Sequence, residues 1–430
     1  MNNIKEFRNT FLGEKYYVLD HESGLKIFIF PKERQSTCAI LATEFGSVDN
    51  AFYDENGSLI KLPDGIAHFM EHKMFDNGDG DSVDDIFSRL GADPNAFTSW
   101  EKTGYVFSCN SGENFYECLA QLIKFVTTPY FTDESVAKEQ GIIGQEIAMC
   151  EDDPYDRCFY GMVKGLYEKH PMRIEIVGSE GSIATITPDM LYECHKRFYA
   201  LSNMALVVCG DVDIEKTISV IDKMVGNVKP EKKAAKLAPE DNGGAYKKRV
   251  IDEMSVERPL FCFGFKDSGA PTEPKERRKR QMIAEILTGV IFSSSNSLYS
   301  SLFKSEIMTT PFSYGEEYGK SFALCWASGE CDDPDKVYSE VIEHLNKLKK
   351  SGIDKADFER RKKILFASDI KMYDSTWDIA NALFDNAFLD VDIFDESSIL
   401  KSITLEDANK LLTEIFTLDN ITYSVVMPNE

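Results

Sequence analysis

One stretch of this sequence returns half a chain later. ITPDMLYECHKRFYALSNMALVV, starting at Ile186, aligns with ITLEDANKLLTEIFTLDNITYSVV, starting at Ile403, at a constant offset of 217 residues that also pairs Asn203 with Asn420. Both copies read as helix, short loop and strand, and they share five identities (Ile, Thr, Leu, Asn and Val). An offset of about half of 430 residues points to internal duplication. The expected fold is therefore α+β in two homologous domains, each an antiparallel sheet packed with helices.

The clearest break in pattern supports that division. Between Gly226 and Lys248 (GNVKPEKKAAKLAPEDNGGAYKK), Lys, Glu, Pro, Ala and Gly replace the periodic apolar residues, which is the composition of a linker. Residues 1–227 are expected to form one α+β domain, 228–246 the linker and 247–430 the second domain. In the first half, residues 25–31 and 39–45 carry the β-branched and aromatic residues of strands. Helical patterns alternate with them over 65–75, 82–90, 114–127, 133–149 and 188–199. In the second half, strands are expected at 259–265, 321–328 and 421–427, and helices from Glu273, Pro334 and Lys355.

Composition excludes partners more than it selects one. A net charge of −24 argues against a nucleic-acid backbone and against an anionic membrane surface as the main partner, since both call for a basic face. No run of about 18 apolar residues is present, so no membrane span is expected. The first residues alternate polar and apolar and lack the apolar core of a secretion signal. Ten Cys are scattered without a C-x-x-C pair, which suits reduced, buried thiols in a cytoplasmic protein.

The chemistry is concentrated in DGIAHFMEHKMFDNG. His68, Glu71 and His72 stand in the order H-x-x-E-H on a segment that reads as a helix, with Asp64 the expected N-cap and Asn77-Gly78 the expected end. Residues four apart leave a helix on one face, so both imidazoles can ligate one tetrahedral metal. Glu71 lies on the same side and can reach a water on that metal without ligating it. Only 6 His occur in the whole chain, so this spacing is not an ordinary coincidence. A third ligand is still needed. The segment ESVAKEQGIIGQEIAMCEDDP carries Glu139 and Glu146 two turns apart on one face, and Ile142, Ile143, Ile147 and Met149 lead one to expect a mostly buried helix. Glu146 is the candidate ligand and Glu139 the candidate supporting acid.

H-x-x-E-H is the inverted-zincin order. Together with a Glu about 74 residues after the second His, the segment GADPNAFTSWEKTGY and the stretch GSEGSIATITPDMLYECHKRFYALSNMALVVCGDVD, it makes the chain similar to the pitrilysin, insulysin and mitochondrial processing peptidase family. The resemblance implies zinc held by His68, His72 and Glu146, Glu71 as catalytic base activating a zinc-bound water, Glu139 as its supporting acid, and a substrate-pairing edge strand at Asn95, Ala96, Phe97 and Thr98. It further implies hydrolysis of short or unfolded peptides in a chamber closed by two such chains, this chain being one side of the clamshell.

One departure from the family pattern matters. Many members place an Arg and, seven residues on, a Tyr in the second half to orient substrate, whereas alignment of LYSSLFKSEIMTTPFSYG puts Phe303 and Thr310 there. The chain is expected to work as a homodimer using other donors, or as a heterodimer with a related chain that lacks metal ligands and supplies that pair. A dedicated peptide-maturation factor and a non-catalytic scaffold subunit are the remaining alternatives. Other features carry less. DNGDGD (76–81) lacks EF-hand spacing, Cys194-His195 are neighbours whose side chains diverge on a helix, His170-Pro171 suggests a turn, and His21 and His344 are expected on the surface.

Overall fold

The computed structural model describes residues 4–76, 78 and 82–429. The strands, in chain order, are β1 (Ile4–Asn9), β2 (Glu14–Asp20), β3 (Lys26–Pro31), β4 (Ser36–Thr43), β5 (Ala51–Tyr53), β6 (Leu59–Lys61), β7 (Ala92–Thr98) and β8 (Thr103–Asn110). They continue with β9 (Met204–Gly210), β10 (Ala235–Lys236), β11 (Arg249–Met254), β12 (Leu260–Lys266), β13 (Ser313–Tyr318), β14 (Ala323–Glu330) and β15 (Ile421–Pro428). Seven form one sheet in the order β1-β2-β3-β9-β4-β8-β7, five form another in the order β11-β15-β12-β14-β13, and β10-β5-β6 make a small third sheet.

The two larger sheets are the same construction. β3-β9-β4-β8-β7 and β11-β15-β12-β14-β13 have matching pairing senses, with one parallel pair (β3 with β9, β11 with β15) and antiparallel neighbours after it. The repeated segment is the key piece of each. Thr187 and Thr404 cap the helices Pro188–Phe198 and Leu405–Ile415, which lead into the equivalent strands β9 and β15. Asn203 Nδ2 donates to the Phe198 carbonyl at 2.9 Å and Asn420 Nδ2 to the Ile415 carbonyl at 3.1 Å, so donor and acceptor both keep the 217-residue offset. In both halves the Asn satisfies a carbonyl at the helix end that the helix itself cannot. Two α+β halves are thus present as expected, although each sheet contains a parallel pair.

The chain nevertheless divides into compact units that cross its linear order. Residues 148–174 group with the second sheet and residues 370–394 with the first. Helix Pro154–Leu166 lies on β11, β12 and β15, and helix Thr376–Ala387 lies on β3, β4 and β9, the equivalent strands. In the zinc-motif unit, Ile379, Ala380, Leu383, Phe384 and Ala387 form one buried stripe against Phe30, Ile40 and Val207 of the sheet. With both faces covered, β9 is buried along its whole length. Composition places a linker at 228–246, and the structure holds that segment at two points within it. Ala235 and Lys236 pair with β5, and Asp241 accepts from the buried Lys266 and from the backbone N–H groups of Glu168 and Lys169.

Two histidines are less exposed than expected. His21 is buried, its Nδ1 bonded to Ser23 Oγ at 2.7 Å and its Nε2 to Asp222 at 3.0 Å. His344 is half-buried. His170 accepts from the Met172 N–H and so caps the short turn Pro171–Arg173, in keeping with the turn expected there. His195 turns away from Cys194 and bonds the Val126 carbonyl at 3.0 Å. Among the described residues no helix is long and apolar enough to cross a membrane.

Candidate metal centre

His68 and His72 lie on the helix Ile66–Lys73, within the zinc-motif unit. Asp64 does not cap it. Gly65 occupies the cap position with φ 86°, and a Cβ there would stand 2.6 Å from the Val177 carbonyl oxygen. Gly178, with φ 80°, returns the approach, because its Cβ would stand 2.6 Å from the Asp64 carbonyl oxygen. Both positions need glycine twice over, for left-handed backbone and for space. Ser182 Oγ then donates to that same Asp64 carbonyl at 2.8 Å. The start of the motif helix is therefore set by a backbone-to-backbone contact, which replaces the expected side-chain cap. At its other end the helix stops at Lys73, buried and paired with Asp76, while Asn77 lies outside the described residues.

Helix Asp133–Asp152 brings the acids. Val136, Ile143 and Ile147 form its buried stripe, whereas Ile142 and Met149, expected inside, are exposed. Glu139 and Glu146 adjoin the stripe rather than the solvent face, which is why they point inward on a helix that is otherwise half-exposed. His68 Nε2 lies 3.4 Å from Glu146 Oε1, and His72 Nε2 lies 3.6 Å from Glu146 Oε2. The two rings stand 4.6 Å apart at 62°. His72 Nδ1 donates to Glu139 Oε1 at 3.0 Å, the proton lying on the nitrogen because a carboxylate only accepts.

The donor set fits a zinc ion. One ligand atom from each of His68, His72 and Glu146 falls within 4.8 Å of the others. Tetrahedral bonds of about 2.1 Å place neighbouring donors roughly 3.4 Å apart, close to the two separations above. The buried Nδ1 of His68 has no hydrogen-bond partner, so among the described residues nothing on the protein fixes that ring from behind as Glu139 fixes His72. The carboxylates hold the His72 imidazole above its usual pKa, chiefly through the Glu139 bond. Glu146 is held below the usual carboxylate range, chiefly by its hydrogen bond with His68. Both shifts are those of donors crowded together with opposite charges available.

Glu71 points to a different neighbour. Thr98 Oγ1 donates to Glu71 Oε2 at 2.6 Å, a contact that spacing in the sequence cannot disclose because the two residues lie 27 positions apart, on a helix and on a separate strand. Thr98 ends β7, at the edge of the seven-stranded sheet, and among the described residues β7 pairs only with β8. Asn95, Ala96, Phe97 and Thr98 all lie on that edge strand. Phe97 packs edge-on against Phe384 at 5.1 Å, and Asn95 Oδ1 accepts from the Ala96 N–H. Nothing in the residue spacing discloses the buried Tyr105 and Tyr199 hydroxyls, which bond to each other at 2.7 Å.

Comparison with known proteins identifies the family. Residues 54–180 match the family described as Insulinase (Peptidase family M16), and residues 185–365 match Peptidase M16 inactive domain. The uncharacterized zinc protease YmfH of Bacillus subtilis is 36% identical over 434 residues, covering 99% of each chain. The chain belongs to peptidase family M16. An M16-like peptidase from Alicyclobacillus acidocaldarius has the same fold throughout, with a TM-score of 0.92, 30% identity, and coverage of 98% of this chain and all of that one. The periplasmic protease PqqL of Escherichia coli shares the fold at a TM-score of 0.74 and 16% identity, but this M16 chain covers only 48% of it.

Proposed function

We propose that this M16 chain is a zinc-dependent endopeptidase that hydrolyses short or unfolded peptides. The observation that carries the reading is the convergence of His68, His72 and Glu146, with Glu71 one residue away on the same helix. Zinc bound by those three residues would polarise the scissile carbonyl and acidify water beside it. Glu71 is the base that takes the proton, on the oxygen that Thr98 leaves free, and returns it to the departing amine. Glu139 keeps the His72 proton on Nδ1, so that Nε2 presents its lone pair. Among the described residues no strand pairs with the outer side of β7, and that edge is where an extended peptide would pair, with little dependence on side-chain identity.

The working enzyme in this reading is a pair of chains, a homodimer or a heterodimer with a related subunit lacking the metal ligands. Coverage of about half of PqqL supports it. Phe303 and Thr310 favour the heterodimer, because Phe303 is exposed and apolar where the family resemblance expects Arg. Ten free cysteines among the described residues suit a reducing compartment, and the cytoplasm is the proposed location. Glu71→Gln tests the chemistry. It should retain about one zinc per chain while cleavage of an unfolded peptide falls at least about a thousandfold. Wild-type cleavage by that variant would remove Glu71 as the base.

A further inference from the structure

We propose that Thr98 is a positioning residue for Glu71: its hydroxyl fixes one carboxylate oxygen and leaves Oε1 as the one that receives the proton. The proposal rests on the endopeptidase reading above. It assigns the Thr98 side chain a task separate from the backbone pairing that the family resemblance gives to its strand.

The hydroxyl's single proton decides the direction. Among the described residues Thr98 Oγ1 has two hydrogen-bonding neighbours, Glu71 Oε2 at 2.6 Å and Thr103 Oγ1 at 3.3 Å. Thr103 spends its own proton on the buried Phe45 carbonyl at 2.9 Å. A Thr hydroxyl has one donor, so the Thr98 proton goes to the shorter, ionic contact with Glu71. The Thr98 bond therefore orients the carboxylate.

The donor is itself rigidly held. Thr98 is β-branched, with restricted χ1, and ends a strand whose turn is tied down. Ser99 N–H donates to the Lys102 carbonyl at 2.8 Å, and Ser47 N–H to the Ser99 carbonyl at 3.1 Å. Lys102 is anchored in turn on Asp385 at 2.5 Å and over the Phe384 ring at 4.1 Å. A base whose rotamer is set by such a support spends less time in unproductive orientations, which acts on turnover rather than on peptide affinity.

Thr98→Val keeps shape and strand preference but removes the donor, and Thr98→Ser keeps the donor. Turnover, KM, zinc content and thermal unfolding are measured for both. Peptide affinity is measured for Thr98→Val in a Glu71→Gln background, where cleavage does not interfere. The Val variant should lose about ten- to a hundredfold in kcat, the loss expected for a hydrogen bond to a charged group, with KM, zinc content, melting and peptide affinity unchanged. The Ser variant should stay within about threefold of wild type. Wild-type kcat in the Val variant overturns the proposal, as does a loss of peptide affinity with kcat unchanged, or a loss that Ser does not restore. A wild-type chain that neither binds zinc nor cleaves peptide overturns the endopeptidase reading as well. An active wild type with an equally active Val variant overturns the Thr98 role alone.

Discussion

The contact between Gly65 and Gly178 places the zinc motif, and Gly178→Ala is its sharpest probe. A Cβ at residue 178 would lie 2.6 Å from the Asp64 carbonyl oxygen and 2.9 Å from Gly65 Cα, against 3.4 Å for an ordinary contact. The backbone must therefore move by about 0.8 Å, or the alanine must leave its position. Neither neighbour is a flexible side-chain end. The left-handed conformation at φ 80° costs alanine roughly 1–2 kcal/mol, and overpacking a fixed contact adds about 1–3 kcal/mol. A loss of about 3 kcal/mol lowers the melting temperature by roughly 6–12 °C in a unit of this size. His68 lies one turn beyond Gly65, so the displacement reaches the proposed ligands, and a misplacement of that order can reduce turnover about a hundredfold. Thermal unfolding and zinc competition titration measure both effects. Gly181→Ala is the control, since a Cβ there meets nothing within 4 Å. A Gly178→Ala protein that melts and binds zinc like wild type would refute the reasoning.

Two further outcomes follow from the Glu139 bond. Glu139→Gln removes the carboxylate behind His72 and should weaken zinc binding about ten- to a hundredfold, read by chelator competition, with little change in melting of the metal-free chain above neutral pH. In the metal-free chain, His72 has a raised pKa, so its contribution to stability is complete below the unfolded value of about 6.5 and is lost as pH rises through the folded value. Glu146 is lowered, so its contribution is present above the unfolded carboxylate value and is lost as pH falls through the folded one. Chemical denaturation of the chelated protein between pH 5 and 8.5 should therefore show a decline on the alkaline side that Glu139→Gln removes, whereas zinc affinity should rise with pH as His72 loses its proton.

Much of the site is written locally. Candidate ligands four apart on one helix and acids seven apart on another follow from helical periodicity, and the Asn203/Asn420 repeat reports a shared hydrogen bond that survives wide divergence elsewhere. What escapes a sequence reading depends on which surfaces meet. Asp64 has the chemistry of a cap, but the approach of residue 178 supplies the contact instead. Ile142 and Met149 look like core until the helix is seen to bury only the Val136, Ile143 and Ile147 stripe. The stripe on helix Thr376–Ala387 announces burial without naming the sheet, and it covers β3, β4 and β9 of the other half. Thr98 could be placed on an edge strand from its segment, but its bond to Glu71 exists only once β7 lies beside the motif helix.

The central claim is a zinc ion shared by His68, His72 and Glu146. X-ray absorption at the zinc edge, on purified protein reconstituted with one equivalent and then desalted, addresses it directly. About one zinc per chain, with two imidazole nitrogens near 2.0–2.1 Å, carboxylate and water oxygens in the remaining positions, and loss of one imidazole in His72→Ala, is the expected result. No retained zinc, or a sulfur-rich shell drawn from the cysteines, would contradict it.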